Sequence, residues 1–288
     1  MVKTLKNKSH SFIKDPEMVK QVLLERDKMN MGGVDVLLSG KPGCGKTTAL
    51  CQILIGNMKR FGDVGVFRSS EDCQWSFFLD TGHDIVFWLK KGLDMELISR
   101  KDEKKVDILD YVDRVERWED YDDLVDRLDR KKINVVQTIP FVTDNPRQHF
   151  KFSLDWLKIF QAMNRRIWKN HITVCFDEFE DFVPEGGAGK VWDVEMAFSG
   201  TIRKLRKNFI SSFCAVHYAK DVHWRTRSKI RWHLYMKGAR PVKDSRCRIN
   251  LHDLDVGKAV LDGGRFERFS FQPLGTEKFL RARITVEK

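Results

Sequence analysis

The chain has 288 residues and a net charge of +11, and 42% of its residues are hydrophobic. This length allows one large α/β domain with insertions or two small domains. No apolar stretch approaches the ~20 residues that a bilayer-spanning helix needs, which excludes a transmembrane segment. The basic first residues lack the hydrophobic stretch of a secretory signal, so we expect a cytoplasmic protein.

The charged residues are distributed unevenly along the chain. Residues 201–250 contain fourteen Lys or Arg and two Asp, whereas residues 102–130 contain twelve acidic and six basic residues. A basic segment with interleaved aromatic residues, here Trp224, Trp232 and Tyr235, favours nucleic acid as a partner over an ordinary solvated surface. The six cysteines form no C-x-x-C pair, which favours free thiols in a reducing compartment over metal ligands.

The N-terminal part of the chain, residues 1–33, is predicted to be a leader with one helix. Asp15 and Pro16 form a typical N-cap and first helical position, and a glycine pair ends that helix. The apolar residues 34–38 then predict the first strand of the folded core.

A glycine-rich sequence follows this strand and leads into a helix predicted over residues 47–58. It matches the complete phosphate-binding loop, or Walker A motif, G-x-x-x-x-G-K-T. Glycines let backbone N–H groups surround a phosphate, and the helix N-terminus adds positive potential. The motif predicts that Lys46 contacts the β- and γ-phosphates of ATP and that Thr47 holds Mg²⁺. The residues predicted to bind the nucleotide are Gly40, Lys41, Pro42, Gly43, Cys44, Gly45, Lys46, Thr47 and Thr48.

The alternation of strands and helices is interrupted after the second predicted strand. Residues 84–89 and 95–98 are predicted to pair as a hairpin. Apolar residues at three- and four-residue steps within residues 109–128 predict one or two amphipathic helices with acidic outer faces. We interpret residues 73–132 as an insertion in the core, and an ordinary crossover helix with a long loop is the alternative.

The second half of a nucleotide site is predicted at residues 172–178, after a strand at residues 133–141 and a helix at residues 154–168. Its apolar residues predict a buried parallel strand that ends in two carboxylates. In this Walker B position, Asp177 would orient Mg²⁺ and Glu178 would act as the catalytic base on the attacking water. A Glu beside the Asp favours sustained ATP hydrolysis over a simple nucleotide switch.

The remaining chain is predicted to continue the core and to end in strands. A flexible loop over residues 183–189 is followed by a helix over residues 191–207 with a basic end. Apolar strands are predicted at residues 210–218 and 231–236, with a basic loop between them. We therefore predict an α/β P-loop NTPase fold with a central, mostly parallel sheet flanked by helices, an inserted mixed segment and a β-rich C-terminal tail. The predicted domains are the leader, residues 1–33, the ATPase core, residues 34–262, and the tail, residues 263–288.

The order of these parts resembles the HerA/FtsK superfamily of ring-forming, DNA-pumping ATPases. After the acidic strand, that family has a loop, a helix with a basic end, an apolar strand ending in a polar sensor, a basic loop and a strand near the pore. The matching residues here are 174–178, 183–189, 191–207, 210–217, 219–230 and 231–236. Residues 254–260 are similar to a late segment of the family. The resemblance covers residues 34–90 and 133–262.

The resemblance implies a Mg²⁺-dependent ATPase that translocates or packages duplex DNA as a homo-oligomeric ring, expected to be a hexamer. It implies a sensor at His217, although the family usually has Gln at that position. It also implies an arginine finger supplied to a neighbouring subunit, with Arg203 and Arg206 in the matching part of the sequence. A partner nuclease or a capsid portal is a further expectation from the family. The predicted contacts to DNA phosphates are Lys220, Arg225, Arg227 and Lys229.

Other P-loop classes fit the sequence less well. A GTPase would need an N-K-x-D motif and an ABC ATPase a signature sequence before the acidic strand, and neither is present. An AAA+ ATPase shares both motifs but would need a helical lid where this tail is predicted to form strands. A nucleotide-dependent assembly or morphogenesis protein, associated with a virion or a membrane, stays open as an alternative. Stimulation of hydrolysis by duplex DNA distinguishes it from a DNA pump.

Overall fold

The computed structural model describes residues 32–142, 144–166, 168, 170–186, 189–243, 245–262, 267–271 and 280–286. The helix predicted within residues 1–33, part of the predicted loop at residues 183–189 and parts of the predicted C-terminal tail lie outside the described residues. The described chain contains a large sheet with helices on both faces and a small second sheet. This architecture confirms the predicted fold class.

Ten described strands form the main sheet. In chain order they are β1 (Asp35–Ser39), β2 (Val64–Arg68), β3 (Ile85–Lys90), β6 (Arg114–Trp118), β7 (Ile133–Gln137), β8 (Ile172–Phe176), β9 (Ile210–Val216), β10 (Trp232–Met236), β11 (Lys258–Asp262) and β12 (Glu267–Ser270). Their order across the sheet is β12-β11-β10-β1-β9-β8-β2-β7-β3-β6. Neighbours from β10 to β6 run parallel, and β11 and β12 are antiparallel additions at one edge. The carboxyl ends of β1, β9, β8 and β2 therefore meet at one edge of the sheet.

The helices begin and end at residues suited to those positions. They are α1 (Lys46–Phe61), α2 (Tyr121–Asp126), α3 (Pro146–Asn164), α4 (Lys190–Lys207) and α5 (Trp224–Arg227). At the start of α3, the Asn145 side chain accepts a hydrogen bond from the Gln148 N–H at 3.1 Å, and Pro146 takes the first helical position. At the end of α1, Gly62 takes the left-handed conformation with φ of 67°. These caps fix where the chain leaves each helix for the next strand.

Alternate residues of the central strands face two separate hydrophobic cores. Val36 and Leu38 of β1 pack with Leu50 of α1 on one face, whereas Leu37 packs on the other face with residues of α3 and α4. This two-residue period follows from strand geometry, since successive side chains point to opposite faces. Fully burying one such leucine contributes about 1.5–3 kcal/mol relative to leaving it exposed, so both cores hold the helices against the sheet.

A second sheet of three antiparallel strands shares the hydrophobic core that contains α1. It consists of β4 (Leu93–Ser99), β5 (Lys105–Val106) and β13 (Leu280–Val286), in the order β13-β4-β5. The predicted hairpin between residues 84–89 and 95–98 is wrong, because β3 lies in the main sheet and β4 pairs with β13. The physical reason is burial, since Leu93 and Leu97 of β4 join a core with residues of the distant C-terminal strand.

Residues 109–128 contain less helix than predicted. The structure has β6 in this region and only the short α2 after it. Val115 packs with one core and Trp118 packs with the other, which is the alternation of a strand and not of a helix. Through β3 and β6, the segment at residues 73–132 extends the parallel sheet beyond β7.

The predicted strands near the phosphate-binding loop lie where the sequence places them. β1, β8, β9 and β10 begin and end within two residues of their predicted bounds. In the C-terminal part, β12 extends the main sheet and β13 completes the small one. No helix in the described part of the chain is both long and apolar enough to cross a bilayer.

Candidate nucleotide-binding site

The phosphate-binding loop connects the end of β1 to the start of α1, at the edge where the parallel strands end. Gly43 and Gly45 have φ of 73° and 96°, in the left-handed region that glycine adopts without a Cβ clash. At Gly40, an added Cβ would lie 2.6 Å from the Cys44 Sγ. The glycine pattern of the motif is therefore required by the path of the backbone as well as by phosphate chemistry.

The Lys46 ammonium group has three acceptors around it. Its Nζ donates to the carbonyl oxygens of Gly40 at 2.8 Å and Lys41 at 3.3 Å, and it lies 3.3 Å from the His217 Nδ1. His217 follows β9, the neighbour of β1, so the sheet brings the predicted sensor beside the P-loop lysine. A phosphate bound in the loop would compete with these three acceptors for the ammonium protons.

The predicted metal ligands Thr47 and Asp177 are in direct contact. The Thr47 hydroxyl donates to the Asp177 Oδ2 at 2.5 Å. Burial raises the pKa of the Asp177 carboxyl, and the hydrogen bond from Thr47 opposes that effect. A hydroxyl and a carboxylate are hard oxygen ligands of the kind that bind Mg²⁺ together with substrate phosphates. The donor set fits Mg²⁺, and the described residues contain no larger group of His, Cys, Asp and Glu arranged to hold a metal ion.

Glu178, the predicted base, follows Asp177 at a strained turn. Its φ is 53°, a left-handed conformation that costs a residue with a Cβ roughly 1–3 kcal/mol. Its N–H donates to the Asp177 Oδ1 at 3.1 Å. Its side chain is 34% exposed and, like Asp177, lines a cavity beside the phosphate-binding loop. The turn therefore puts both carboxylates at one wall of the cavity.

Arg68, the last residue of β2, is a site residue that the sequence analysis missed. Its side chain is 4% exposed, and it donates to the Asp177 carbonyl oxygen at 2.7 Å. It forms ion pairs with Glu178 at 3.1 Å and with Asp181 at 3.2 Å. Charge-assisted hydrogen bonds of this kind hold the predicted base in place. The sequence did contain a signal for this role, since Arg68 is a cation at the end of an apolar strand in a sheet whose parallel strands end at one edge.

Two more carboxylates follow in the 3₁₀ turn Phe179–Asp181. Burial raises the pKa of Glu180 and of Asp181 to about 7. The Glu180 Oε1 accepts a hydrogen bond from the backbone N–H of His217 at 3.0 Å. Glu180 lines the cavity beside the phosphate-binding loop, so a cation bound there favours the ionised form of that acid.

One cavity of about 670 Å³ has a volume in the range of small-molecule sites. The site residues that line it are Lys46, Thr47, Asp177, Glu178, Glu180 and His217. The residues that flank two C-terminal strands form its other wall, with Val256 and Gly257 just before β11 and Phe271 just after β12. The Gly257 N–H donates to the Cys44 carbonyl oxygen at 3.2 Å, which joins this wall to the phosphate-binding loop. The sequence analysis did not assign these residues to the site.

The two candidate arginine fingers lie away from this cavity. Both are near the end of α4, which leads into the amino end of β9, at the opposite edge of the sheet. The Arg206 Nε lies 3.4 Å from the Oδ2 of buried Asp35, whose pKa burial raises to about 7. Arg203 is exposed. A catalytic role for either arginine therefore requires a second subunit.

The predicted DNA-contacting cations divide into two pairs. Arg227 donates to a carbonyl oxygen of its own loop at 2.8 Å, and Lys229 donates to the Ser199 hydroxyl at 2.8 Å. Both side chains therefore anchor the loop to the protein. Lys220 and Arg225 are exposed, so these two are the members of the set that remain accessible to a partner.

This chain is similar to known proteins in its structure and not in its sequence. No protein-family model and no curated protein matches the sequence. The genome packaging NTPase B204 from Sulfolobus turreted icosahedral virus 2, in complex with sulfate, gives a TM-score of 0.53 at 11% identity, covering 86% of this chain and 100% of that chain. Its complex with AMPPCP gives 0.50 at 12% identity, with 85% and 100% covered. The bacterial conjugative coupling protein TrwBdeltaN70, in complex with sulphate, gives 0.50 at 11% identity, with 87% and 88% covered.

This chain shares their fold. The likeness extends over most of each chain. At 11–12% identity this likeness shows the fold alone, which is the α/β fold that the sequence predicted.

We predict that Arg68→Met lowers the free energy of unfolding by roughly 3–5 kcal/mol, because it leaves Glu178 and Asp181 without their buried cation. Chemical denaturation above the raised pKa of Asp181 measures this loss. Arg100→Met is the matched control, since Arg100 pairs with Asp72 at the surface, where an ion pair contributes about 0–1 kcal/mol. Equal losses in the two variants would show that Arg68 does not hold the acidic turn.

Proposed function

We propose that this protein is a Mg²⁺-dependent ATPase that translocates or packages duplex DNA as a ring of identical subunits. The observation that carries the proposal is the 2.5 Å hydrogen bond between Thr47 and Asp177, with Lys46 and Glu178 on the walls of the same cavity. Together these residues supply phosphate binding, metal binding and a base. Neighbours named for genome packaging and conjugative coupling share the fold, which supports DNA as the polymer.

Phosphate binding depends on Lys46 and on the backbone around it. The carbonyl oxygens of Gly40 and Lys41 hold the ammonium group beside the loop, so the β- and γ-phosphates meet a preorganised cation. Gly45, in the left-handed conformation, places the first turn of α1 next to the phosphates. The backbone N–H groups of a first helical turn have no partner within the helix, so they add positive potential there.

Hydrolysis needs a base near the γ-phosphate, and Glu178 is the residue we assign to that role. The oxygen of the attacking water bonds to the γ-phosphorus, the bond to the β–γ bridging oxygen breaks, and Glu178 accepts the proton from the water. Arg68 keeps the Glu178 carboxylate in a fixed position. Mg²⁺, held by Thr47 and Asp177, would neutralise charge on the phosphates.

His217 is the residue we assign as the sensor of the γ-phosphate. Its ring contacts the Lys46 ammonium and its N–H contacts Glu180. A bound γ-phosphate would accept a hydrogen bond from the Lys46 ammonium in place of His217, and the His217 ring would then lose its contact with Lys46. Release of phosphate after hydrolysis restores the contact, so His217 relays the state of the nucleotide to the acidic turn.

We predict that duplex DNA raises the rate of ATP turnover. We also predict that Glu178→Gln binds ATP but hydrolyses it at least about 100-fold more slowly, because glutamine keeps the shape of the side chain and cannot accept the proton from water. Lys46→Ala should lose nucleotide binding. Steady-state turnover and nucleotide affinity, measured with and without a random-sequence duplex, check these outcomes.

The two measurements separate the parts of the proposal. A normal rate in Glu178→Gln would show that another group is the base. Turnover that is indifferent to duplex DNA would contradict the DNA pump and would favour the nucleotide-dependent assembly protein.

A ring would complete the site with a cation from the neighbouring subunit. Lys229, which follows α5, donates to the Ser199 hydroxyl of α4, and its pKa is lowered by burial and by the nearby charges of Arg203 and Arg225. Arg203 on α4 and Arg225 on α5 are both exposed, so the two helices present cations on a shared basic face. Such a face fits an anion presented from outside, such as the γ-phosphate in a neighbour's cavity. Arg206 is less suited because it pairs with Asp35, and we therefore propose Arg203 as the finger.

We predict that Arg203→Ala is inactive alone and regains activity when it is mixed with Lys46→Ala, because each variant supplies the half-site that the other lacks. Loss of an arginine finger costs about 10³-fold or more in rate. Turnover and light scattering in the same samples check activity and assembly, and Lys204→Ala, another exposed cation on α4, is the matched control. Full activity of Arg203→Ala alone, or an assembled mixture that stays inactive, would rule out Arg203.

A further inference from the structure

A tyrosine next to the predicted sensor contacts two cations. The Nζ of Lys220 lies 5.8 Å from the centroid of the Tyr218 ring, and the guanidinium carbon of Arg240 lies 5.2 Å from it. Tyr218 is half-buried, whereas both cations are exposed. Within the described part of the chain, neither cation forms an ion pair with a carboxylate. We call Lys220, Tyr218 and Arg240 the Tyr218 cluster.

The cluster lies at the edge of the sheet that carries the phosphate-binding loop. Lys220 follows β9 and Arg240 follows β10, and these two strands are the neighbours of β1 on either side. All three strands run parallel, so the segments that follow them emerge at the same edge. Two parts of the basic region, separate in sequence, thus meet beside the P-loop strand.

The segment that carries Arg240 is fixed by contacts of its own. The Val242 N–H donates to the Tyr235 hydroxyl at 3.3 Å, and the Ser245 hydroxyl donates to buried Asp262 at 2.5 Å. Because the backbone is held in place, binding a ligand at Arg240 costs little ordering of the chain. A small hydrophobic core supports the segment and consists of Tyr235, Ala239, Cys247, Leu251, Leu254 and Val260.

The ligand that this arrangement fits is an anion. Both cations lie against the same ring, and an anion that contacts both would offset the repulsion between their like charges. The guanidinium fork and the ammonium group both bind phosphate oxygens, and the accessible part of the half-buried Tyr218 ring suits a neighbouring sugar or base. Further exposed cations on the same segment favour a repeating polyanion over a single small anion, and they are Lys243, Arg246 and Arg248.

The Tyr218 cluster is directly adjacent in sequence to a residue of the candidate nucleotide site. Tyr218 follows His217, which contacts both Lys46 and Glu180. The Tyr218 carbonyl oxygen accepts a hydrogen bond from the Asp221 N–H at 3.0 Å, which closes the turn that carries Lys220. A ligand that shifts this turn therefore acts on the backbone of the sensor.

We propose that the Tyr218 cluster binds a backbone phosphate of nucleic acid and links its occupancy to the ATP site through His217. This inference rests on the proposed function and adds to it the place where the polymer is detected. It assigns the contact to Lys220 and Arg240, and not to Arg227 and Lys229, which anchor their loop.

The test compares Lys220→Gln/Arg240→Gln with a charge-matched control, Lys101→Gln/Lys131→Gln, which removes two exposed cations elsewhere. Binding to a random-sequence duplex is measured over a range of salt concentrations. We expect the slope of log K against log salt to fall by about one in the test variant, with weaker binding to all sequences, and to stay unchanged in the control. Arg240→Lys keeps the charge and should keep most of the slope.

Turnover is measured in the same variants. Basal hydrolysis without duplex should be unchanged, because neither Lys220 nor Arg240 lines the nucleotide cavity. At saturating duplex, the test variant should still lack most of the stimulation seen in the wild type, which separates the link to the ATP site from simple loss of affinity.

Each result that differs from these expectations contradicts a different part of the proposal. Unchanged duplex binding in the test variant, with stimulation intact, overturns the cluster and leaves the proposed function standing. Weaker binding with full stimulation at saturating duplex overturns the link through His217. Tighter binding of a polyglutamate peptide than of duplex, through the same two cations, identifies an acidic protein as the partner and overturns the nucleic-acid assignment. Wild-type protein that hydrolyses ATP without binding or responding to duplex overturns the DNA function as well.

Discussion

The hydrogen bond from the Thr47 hydroxyl to Asp177 joins the two halves of the candidate site. The two residues are 130 positions apart in the sequence, and they meet because β1 and β8 run parallel on either side of β9. If either strand ran in the opposite direction, the phosphate-binding loop and the acidic strand would end at opposite edges of the sheet. The proposed phosphate binding, the proposed metal binding and the placement of Glu178 all depend on this shared direction.

The same edge gathers four carboxylates within five residues of sequence, from Asp177 to Asp181, and Arg68 is a buried cation that forms ion pairs with two of them, Glu178 and Asp181. Its guanidinium lies 5.1 and 5.2 Å from the ring centroids of Phe152 and Phe176. Removing an arginine from water is costly, and the ion pairs, the hydrogen bond to the Asp177 carbonyl oxygen and the two rings offset that cost. Glu178, the proposed base, is therefore held in position through a cation that is fixed by packing as well as by charge.

The parts of the site with a local signal were predictable from the sequence. Lys46 belongs to a contiguous motif, and the strand that ends at Asp177 is a continuous apolar run. Arg68 was not predictable in this way, because its partners are 109 or more residues away. The same limit explains why β4 was paired with β3 and not with β13. Nor does a basic sequence distinguish a cation that anchors its own loop, such as Arg227, from one that is free to meet a ligand.

We propose, as the central claim, that Thr47 and Asp177 together hold a Mg²⁺ ion that strengthens ATP binding. Calorimetric titration with ATPγS, with and without Mg²⁺, tests it most directly when the wild type is compared with Asp177→Asn. The account predicts that Mg²⁺ strengthens nucleotide binding in the wild type and that Asp177→Asn loses most of this effect while it still binds the metal-free nucleotide through the P-loop. The same dependence on Mg²⁺ in both proteins would contradict it.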